Sequence, residues 1–197
     1  MNTKTRKLTV TAVFAALIYA VTYFSRIPVP VIGIVHFGDG IIFAACAALG
    51  WWAVPAAVIG SCLADLTMGA FYYIPATLVI KSVMAALFIL FLKLAGPKSK
   101  PIAKRLPVII SGMLFAGLFM LFAYTGYEVL LIFFGMLDDE VILLFGLIRL
   151  LWSAVQPLAA IFIGTALIIG IEKVKILDFS APRVIEEIET NEDSGVG

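Results

Sequence analysis

The sequence predicts an all-α integral membrane protein, a six-helix transmembrane bundle with both termini in the cytoplasm. Of its 197 residues, 62% are hydrophobic and only 14% are charged, and the mean hydropathy is +1.10, well outside the values of soluble domains. Long apolar runs alternate with short polar loops, and most Lys and Arg residues are concentrated in a few of these loops. We expect one domain over residues 1–172, followed by a polar, disordered cytoplasmic tail over 173–197.

Composition and motifs exclude several classes of function. The formal net charge is +1 and no basic face is evident, so we expect contact with the lipid bilayer and none with nucleic acid. Cys46 and Cys62 lie in apolar runs without metal-ligand spacing, and we interpret them as buried hydrophobic side chains. The absence of HExxH, GxSxG and Walker motifs predicts no enzymatic activity, metal or cofactor. If ATP drives transport, the ATPase is another chain.

The first predicted helix follows a basic N-terminus. Lys4, Arg6 and Lys7 precede residues 8–25, which carry no charge. The segment SRIPVP that comes next offers no cleavage site of the small-x-small type. We therefore interpret the run as a retained helix that starts in the cytoplasm.

A strip of small residues follows this helix. Ala12, Ala16 and Ala20 recur at every fourth position, and side chains this small let another helix approach closely. The usual role of such a strip in a membrane protein is packing within the bundle. The next segment, RIPVPVIGIVHFG, breaks the helix and holds the single histidine, His36, which we interpret as a loop residue with its hydrogen bonds satisfied.

The uncharged run over residues 40–64 is long enough for one tilted span at about 1.5 Å per residue. However, the motif GWWAVP at 50–55 is typical of a helix end, a turn and a new helix start. The cationic cluster over 93–105 lies in the cytoplasm only if an even number of helices precedes it. A single span gives three helices and a hairpin gives four, so we predict a hairpin of two short helices.

The remaining three helices follow from the same alternation of apolar runs and polar loops. We predict them over residues 75–94, 108–134 and 141–171. The basic loop over 95–106 is then cytoplasmic, and the acidic loop MLDDE is external.

Two ionisable residues, Asp65 and Lys81, lie in the otherwise apolar segment GSCLADLTMGAFYYIPATLVIK. A charge at membrane depth costs about 2.5–3.5 kcal/mol on insertion scales, so we expect each to have a partner or a function. One interpretation is a structural Asp65–Lys81 charge pair that connects two helices. The other is that the aromatic turn between them, which contains Tyr72, forms one wall of a small-molecule site.

Further polar residues converge on the outer half of the predicted bundle. Arg149 and Gln156 share one face of the sixth helix, which Trp152 borders, and Tyr124 and Glu128 share a face of the fifth. Aromatic rings with a few fixed charges suit a flat heterocycle of vitamin size. The predicted substrate-binding residues are Tyr72, Lys81, Tyr124, Glu128, Arg149, Trp152 and Gln156. The alternative is that Glu128–Arg149 and Asp65–Lys81 only neutralise each other.

The segment HFGDGIIFAACAALGWWAVPAAVIGSCLADLTMGAFYYIPATLVIK resembles the membrane-embedded S components of energy-coupling factor (ECF) transporters. Its GD…LG…G…LADL…G…P.TL.IK pattern is similar to a branch linked with uptake of riboflavin, pyridoxine and hydroxymethylpyrimidine. The resemblance covers residues 8–172. It implies six helices, cytoplasmic termini, and a binding site for a vitamin or vitamin precursor near the external face of a prokaryotic plasma membrane.

The resemblance also implies partners. Ala12, Ala16 and Ala20 resemble the small-residue motif with which S components dock on a transmembrane coupling subunit, which in turn binds two cytoplasmic ATPases. A stand-alone proton-coupled carrier, with Glu128, Arg149 and Asp65 as a relay, is the alternative function, and a structural membrane protein is a third. A carrier would be expected to contain inverted repeats, and residues 8–94 and 107–172 reveal no convincing one.

Overall fold

The computed structural model describes residues 3–29, 33–136 and 140–174, and the side chains of residues 28, 29, 33, 34 and 140–153 lie outside this description. The described residues form six α-helices and one two-stranded antiparallel hairpin. The elements in chain order are α1 (Thr3–Phe24), β1 (Ile27–Val29), β2 (Gly33–Val35), α2 (Gly38–Leu49), α3 (Ala53–Thr67), α4 (Ile74–Ala95), α5 (Ile102–Phe133) and α6 (Glu140–Val174). The predicted tail beyond residue 174 lies outside the described residues.

Five segments of the described chain are long and apolar enough to cross a membrane. They are Lys4–Phe24, Gly38–Thr67, Phe71–Ala95, Ile102–Phe133 and Ala154–Val174. Large apolar side chains are exposed along their outer surfaces, including Leu90, Phe115 and Phe162. Because a water-soluble protein rarely exposes so much contiguous apolar surface, this exterior is suited to lipid.

The segment Gly38–Thr67 contains both α2 and α3 and reverses direction between them. Gly50 ends α2 with a φ of +59°, a left-handed conformation that glycine adopts without a Cβ penalty. A short 3-10 turn, Gly50–Trp52, then leads into α3. The start of α2 lies beside Thr22 of α1, and the turn after it lies near Thr11. These are the two short helices that the GWWAVP motif predicts.

Helix α2 is the buried centre of the bundle. Of its residues only Ile41 is not buried, and it packs against α1, α3, α4 and α6. Its sequence GDGIIFAACAAL is rich in small residues, which allows these neighbours to approach closely. A Cβ at Gly40, for example, would lie 2.8 Å from the Ile163 side chain of α6. A polar side chain in the first turn of α2 therefore lies in the interior of the bundle.

Two features of the fold differ from the sequence prediction. Helix α5 begins at Ile102, six residues before the predicted start, and Pro107 lies inside it. The β1–β2 hairpin, in which Ile27 pairs with Val35, was expected only as a helix-breaking loop. Two prolines hid the strand pattern, since proline cannot donate a ladder hydrogen bond and normally argues against a strand.

Candidate functional site

Helices α4 and α5 run antiparallel and place polar side chains opposite each other at successive levels. The hydroxyl of Tyr73, in the 3-10 turn Phe71–Tyr73 before α4, donates to Glu128 Oε1 at 2.9 Å. One turn further along α4, the hydroxyl oxygens of Thr77 and Tyr124 lie 3.0 Å apart. Residues 73 and 77, like residues 124 and 128, are one helical turn apart, so the two helices stay in register.

Lys81 forms a third level, one more turn into the bundle. Its side chain is buried, and its Nζ forms an ion pair with Asp39 Oδ1 and lies 3.1 Å from Met120 Sδ. Gln156 Nε2, from α6, donates to Asp39 Oδ2 at 2.6 Å. Both oxygens of Asp39 therefore have partners, and α2, α4 and α6 meet at one buried charge pair. We call these three levels the polar ladder.

Asp65 is not the ion-pair partner of Lys81, so the predicted Asp65–Lys81 charge pair was wrong. Asp65 Oδ2 instead accepts a hydrogen bond from Thr77 Oγ1 at 2.5 Å. Because Asp65 lies near the end of α3 and Thr77 lies one turn closer to that end than Lys81, the hydroxyl is within easier reach. Asp39 reaches Lys81 from the first turn of the buried helix α2.

Tyrosine rings surround the outermost level of the polar ladder. The ring centroids of Tyr72 and Tyr73 are 4.8 Å apart, and the Tyr73 centroid lies 6.1 Å from that of Tyr127 and 6.3 Å from that of Tyr124. The Tyr127 hydroxyl donates to the backbone carbonyl of Tyr72 at 2.5 Å. Half of Tyr72 remains exposed. The aromatic turn is thus fixed on α5 while it presents a ring to the surroundings.

His36 lies in the link between β2 and α2, close to the inner level of the ladder. Its Nδ1 is buried and has no hydrogen-bond partner among the described residues, contrary to the expected satisfied loop histidine. Burial lowers the pKa of His36 from 6.5 to about 4, with the nearby Asp39 opposing and Lys81 reinforcing that change. The imidazole is therefore neutral at physiological pH, with a buried nitrogen available for a partner.

Five of the predicted substrate-binding residues meet in this region: Tyr72, Lys81, Tyr124, Glu128 and Gln156. Arg149 and Trp152 belong to α6, but their side chains lie outside the described part of the chain. Their contacts, including a Glu128–Arg149 pair, therefore stay predictions.

Sequence reasoning missed Asp39, Thr77 and Tyr73 as members of the network. The signal for Asp39 was its position directly before a long uncharged run, in the first turn of a helix that proves to be buried. Thr77 and Tyr73 could have been found from Lys81, because they lie four and eight residues before it on one helical face.

The polar ladder brings carboxylate acceptors, hydroxyl groups and flat rings together within an apolar bundle, and sites for polar aromatic molecules are commonly lined by such groups. Within the described ranges, no group of three His, Cys, Asp or Glu side chains could hold a metal ion.

Comparison with protein families decides among the functions that the sequence left open. The model of the ECF-type riboflavin transporter, S component, matches residues 2–173. The chain belongs to this family. The comparison with curated proteins gives no match.

As an S component, the chain is the substrate-binding subunit of an ECF transporter for a vitamin. Such subunits associate with a T component and ATPases, and this family is one of transporter components rather than of enzymes. The assignment favours the subunit over the stand-alone carrier. Together with the five apolar segments, it identifies a multi-pass membrane protein.

Proposed function

We propose that this S component binds riboflavin or a closely similar flavin in a pocket formed around the polar ladder and the Phe71–Tyr73 turn. The observation that carries the proposal is a connected polar network, contributed by α2, α3, α4, α5 and α6, at one end of the bundle. The description of the matched family, which names riboflavin, supports the choice of ligand.

The chemistry of riboflavin suits these residues. Its ring system is flat and aromatic, which matches the rings of Tyr72, Tyr73 and Tyr127 as stacking partners. Its uracil-like edge carries one N–H donor and two carbonyl acceptors, and its side chain carries several hydroxyls. Carboxylates such as Glu128 accept from these donors, while the Lys81 ammonium and the Tyr72 hydroxyl donate.

Arg149 and Trp152 complete the proposed pocket from α6. Arg149 lies seven residues before Gln156, which places both positions on one helical face about 10 Å apart along the axis. Lys81, which shares Asp39 with Gln156, lies two turns from the Tyr73–Glu128 level. The backbone of Arg149 is therefore expected at the height of Glu128, where a guanidinium would balance the carboxylates.

The unsatisfied His36 nitrogen supports a ligand in this position. A buried polar atom without a partner costs about 1–3 kcal/mol, and a bound ligand with an N–H or hydroxyl group would supply the missing hydrogen bond. The β1–β2 hairpin that carries the chain to His36 would then form one wall of the pocket.

The proposed orientation has six spans, cytoplasmic termini and the 95–106 loop inside a prokaryotic plasma membrane. Lys93 Nζ lies 5.2 Å from the Trp51 ring centroid, and the Trp52 carbonyl lies near Thr11. The start of α1, the GWW turn and the end of α4 thus share one end, which collects most of the cations and would be the cytoplasmic end. The polar ladder lies at the other, external end.

Single cysteines test this orientation. Ser99→Cys should resist a membrane-impermeant thiol reagent added to intact cells, while Asp139→Cys should react. Cys46 and Cys62 are first replaced by alanine, so that only the introduced thiol reports. Labelling of Ser99→Cys from outside would overturn the orientation.

The ligand itself is tested by mass spectrometry of small molecules released from gently purified, full-length protein. A flavin should be recovered in near-equal amount to the protein. Recovery of a pyridoxine- or hydroxymethylpyrimidine-like compound in its place would agree with the S-component assignment but would refute the proposal that the ligand is a flavin.

A further inference from the structure

A cavity lies at the opposite end of the bundle from the polar ladder. Its volume is about 510 Å³, and the end of α2, the GWW turn, the end of α4, the start of α5 and the end of α6 line it. The floor is apolar and includes Ala47, Ile89 and Leu92. Its polar lining is mainly cationic. The cavity therefore has the two-sided character of a site for an amphiphile.

Arg105 is the buried cation of this cavity. Its side chain is only 3% exposed, and its Nη1 donates to Glu172 Oε1 at 2.9 Å and to Oε2 at 3.0 Å. Its Nε is also buried but has no hydrogen-bond partner among the described residues. A buried guanidinium N–H without an acceptor is unfavourable, so the charge of Arg105 is incompletely satisfied beside the cavity.

Two lysines add to the positive charge. Neither Lys93 nor Lys98 forms an ion pair with any described residue, and Lys93 lies over the ring of Trp51. The lining therefore carries three cations against the one carboxylate of Glu172. Tryptophan and lysine at the end of an apolar bundle are typical of the level where lipid headgroups lie.

We propose that this cavity binds the phosphate headgroup of an anionic phospholipid. The phosphate oxygens would accept from the two lysine ammonium groups beside the Arg105 guanidinium, while the glycerol and upper acyl carbons would cover the apolar floor. Inorganic phosphate would leave that floor in contact with water, which is why the lipid is the ligand that fits. The site does not depend on the identity of the vitamin bound at the other end.

The test uses the full-length chain in nanodiscs that contain equal amounts of phosphatidylglycerol and phosphatidylcholine. Native mass spectrometry after release into detergent should find phosphatidylglycerol retained in preference to phosphatidylcholine. The double variant Lys93→Gln/Lys98→Gln should reduce this retention about tenfold, and Lys93→Arg/Lys98→Arg should restore it. The matched control is Lys104→Gln, since Lys104 is exposed beside Arg105 but does not line the cavity.

Thermal unfolding distinguishes binding of a phospholipid from binding of inorganic phosphate. Phosphatidylglycerol should raise the melting temperature of the detergent-solubilised wild type, while inorganic phosphate at the same ionic strength should not. Equal stabilisation by inorganic phosphate would overturn the lipid assignment. Equal retention of both lipids, or an equal loss of retention in Lys104→Gln, would overturn the site.

Discussion

Lys81 is a charged residue buried in an apolar bundle, with only 1% of its surface exposed. Side chains from three other helices surround it. Asp39 of α2 and Met120 of α5 contact its ammonium group, and Gln156 of α6 donates a hydrogen bond to Asp39. A buried pair of this kind adds little net stability over an apolar core, but it is costly to break. Its role is to fix the positions of α2, α4 and α6 around the candidate pocket.

Removing one member of this pair should destabilise the fold strongly. We expect Lys81→Met to lower the free energy of unfolding by about 3–5 kcal/mol, because Asp39 is left charged and buried. The double variant Lys81→Met/Asp39→Asn should be much less destabilised than Lys81→Met alone. Thermal unfolding of the purified protein, followed by circular dichroism, provides the measurement. Additive losses in the double variant would refute the direct coupling.

His36 gives the stability a pH dependence. The folded chain keeps the imidazole neutral down to about pH 4, whereas the unfolded chain takes up a proton near pH 6.5. The stabilisation is therefore complete above pH 6.5 and is lost as the pH falls towards 4, by up to about 3 kcal/mol. The melting temperature of the wild type should fall more than that of His36→Gln between pH 7 and 4.5. Parallel curves for the two proteins would contradict the depressed pKa.

For individual residues, the sequence identifies the unusual side chains more reliably than it predicts which of these side chains pair with each other. Lys81, Glu128 and Gln156 stand out because polar groups are rare in an apolar chain. The partner of Lys81 could not be predicted, since Asp39 and Asp65 were both available. That choice depends on the depth of α2 in the bundle, which is a property of the packed helices.

At the scale of the helices, α1 divides its surface between two roles. Thr11, Ala15 and Ile18 are buried against the bundle, whereas Ala12 and Ala16 are exposed and Ala20 is only partly buried. The alanine strip therefore does not pack in the interior of this chain, contrary to the usual role of such strips. An exposed strip of small residues supports the proposal that it docks on the coupling subunit.

The substitution Ala16→Trp tests this docking role. The large side chain would hold a partner helix away, so ATP-dependent uptake and co-purification with the coupling subunit should be lost, while the isolated protein keeps its stability and its ligand affinity. The matched control is Leu90→Trp, which places the same side chain on an exposed position of α4 and should leave uptake intact. Normal uptake by Ala16→Trp would refute the docking role.

The close contact between α1 and α3 depends on a single glycine. A Cβ at Gly60 would lie 2.6 Å from the backbone oxygen of Ala15 and 2.8 Å from Ile18 Cβ. We expect Gly60→Ala to force the helices apart and to destabilise the protein by about 1–3 kcal/mol.

Gly126→Ala is the control for this substitution, because no atom lies within 4 Å of its added Cβ. It should be neutral or stabilising, since alanine is the better helix former by about 0.5–1 kcal/mol. Thermal unfolding compares the two variants. An equal change in the stability of Gly60→Ala and Gly126→Ala would contradict the close approach of α1 and α3.

Helix positions were largely predictable because they follow from apolar runs and turn residues. The GWWAVP motif identifies the reversal at Gly50 through a glycine that adopts a positive φ. The start of α5 was not predictable in the same way, because Pro107 suggests a break and yet lies inside the helix, one turn beyond the first-turn position at which proline is best tolerated.

At the scale of the whole molecule, the two ends of the bundle differ in chemistry. One end carries the polar ladder and its tyrosines, and the other carries the Arg105–Glu172 pair, the cavity lysines Lys93 and Lys98 and the exposed tryptophans. The Lys and Arg pattern of the sequence predicts this division. Neither the central position of α2 nor the cavity beside Arg105 could be predicted, because both depend on how the helices pack laterally.

Equilibrium titration of riboflavin tests whether the ladder end of the molecule is the vitamin site. Quenching of flavin fluorescence should saturate at one flavin for each wild-type chain. Glu128→Gln should weaken binding by about 1.5–3 kcal/mol through the loss of a charged acceptor, and Arg149→Ala by about 2–5 kcal/mol. Glu172→Gln, the same chemical change at the opposite end, should leave the affinity unchanged. Saturable binding that is equally strong in Glu128→Gln, Arg149→Ala and wild type would contradict the account.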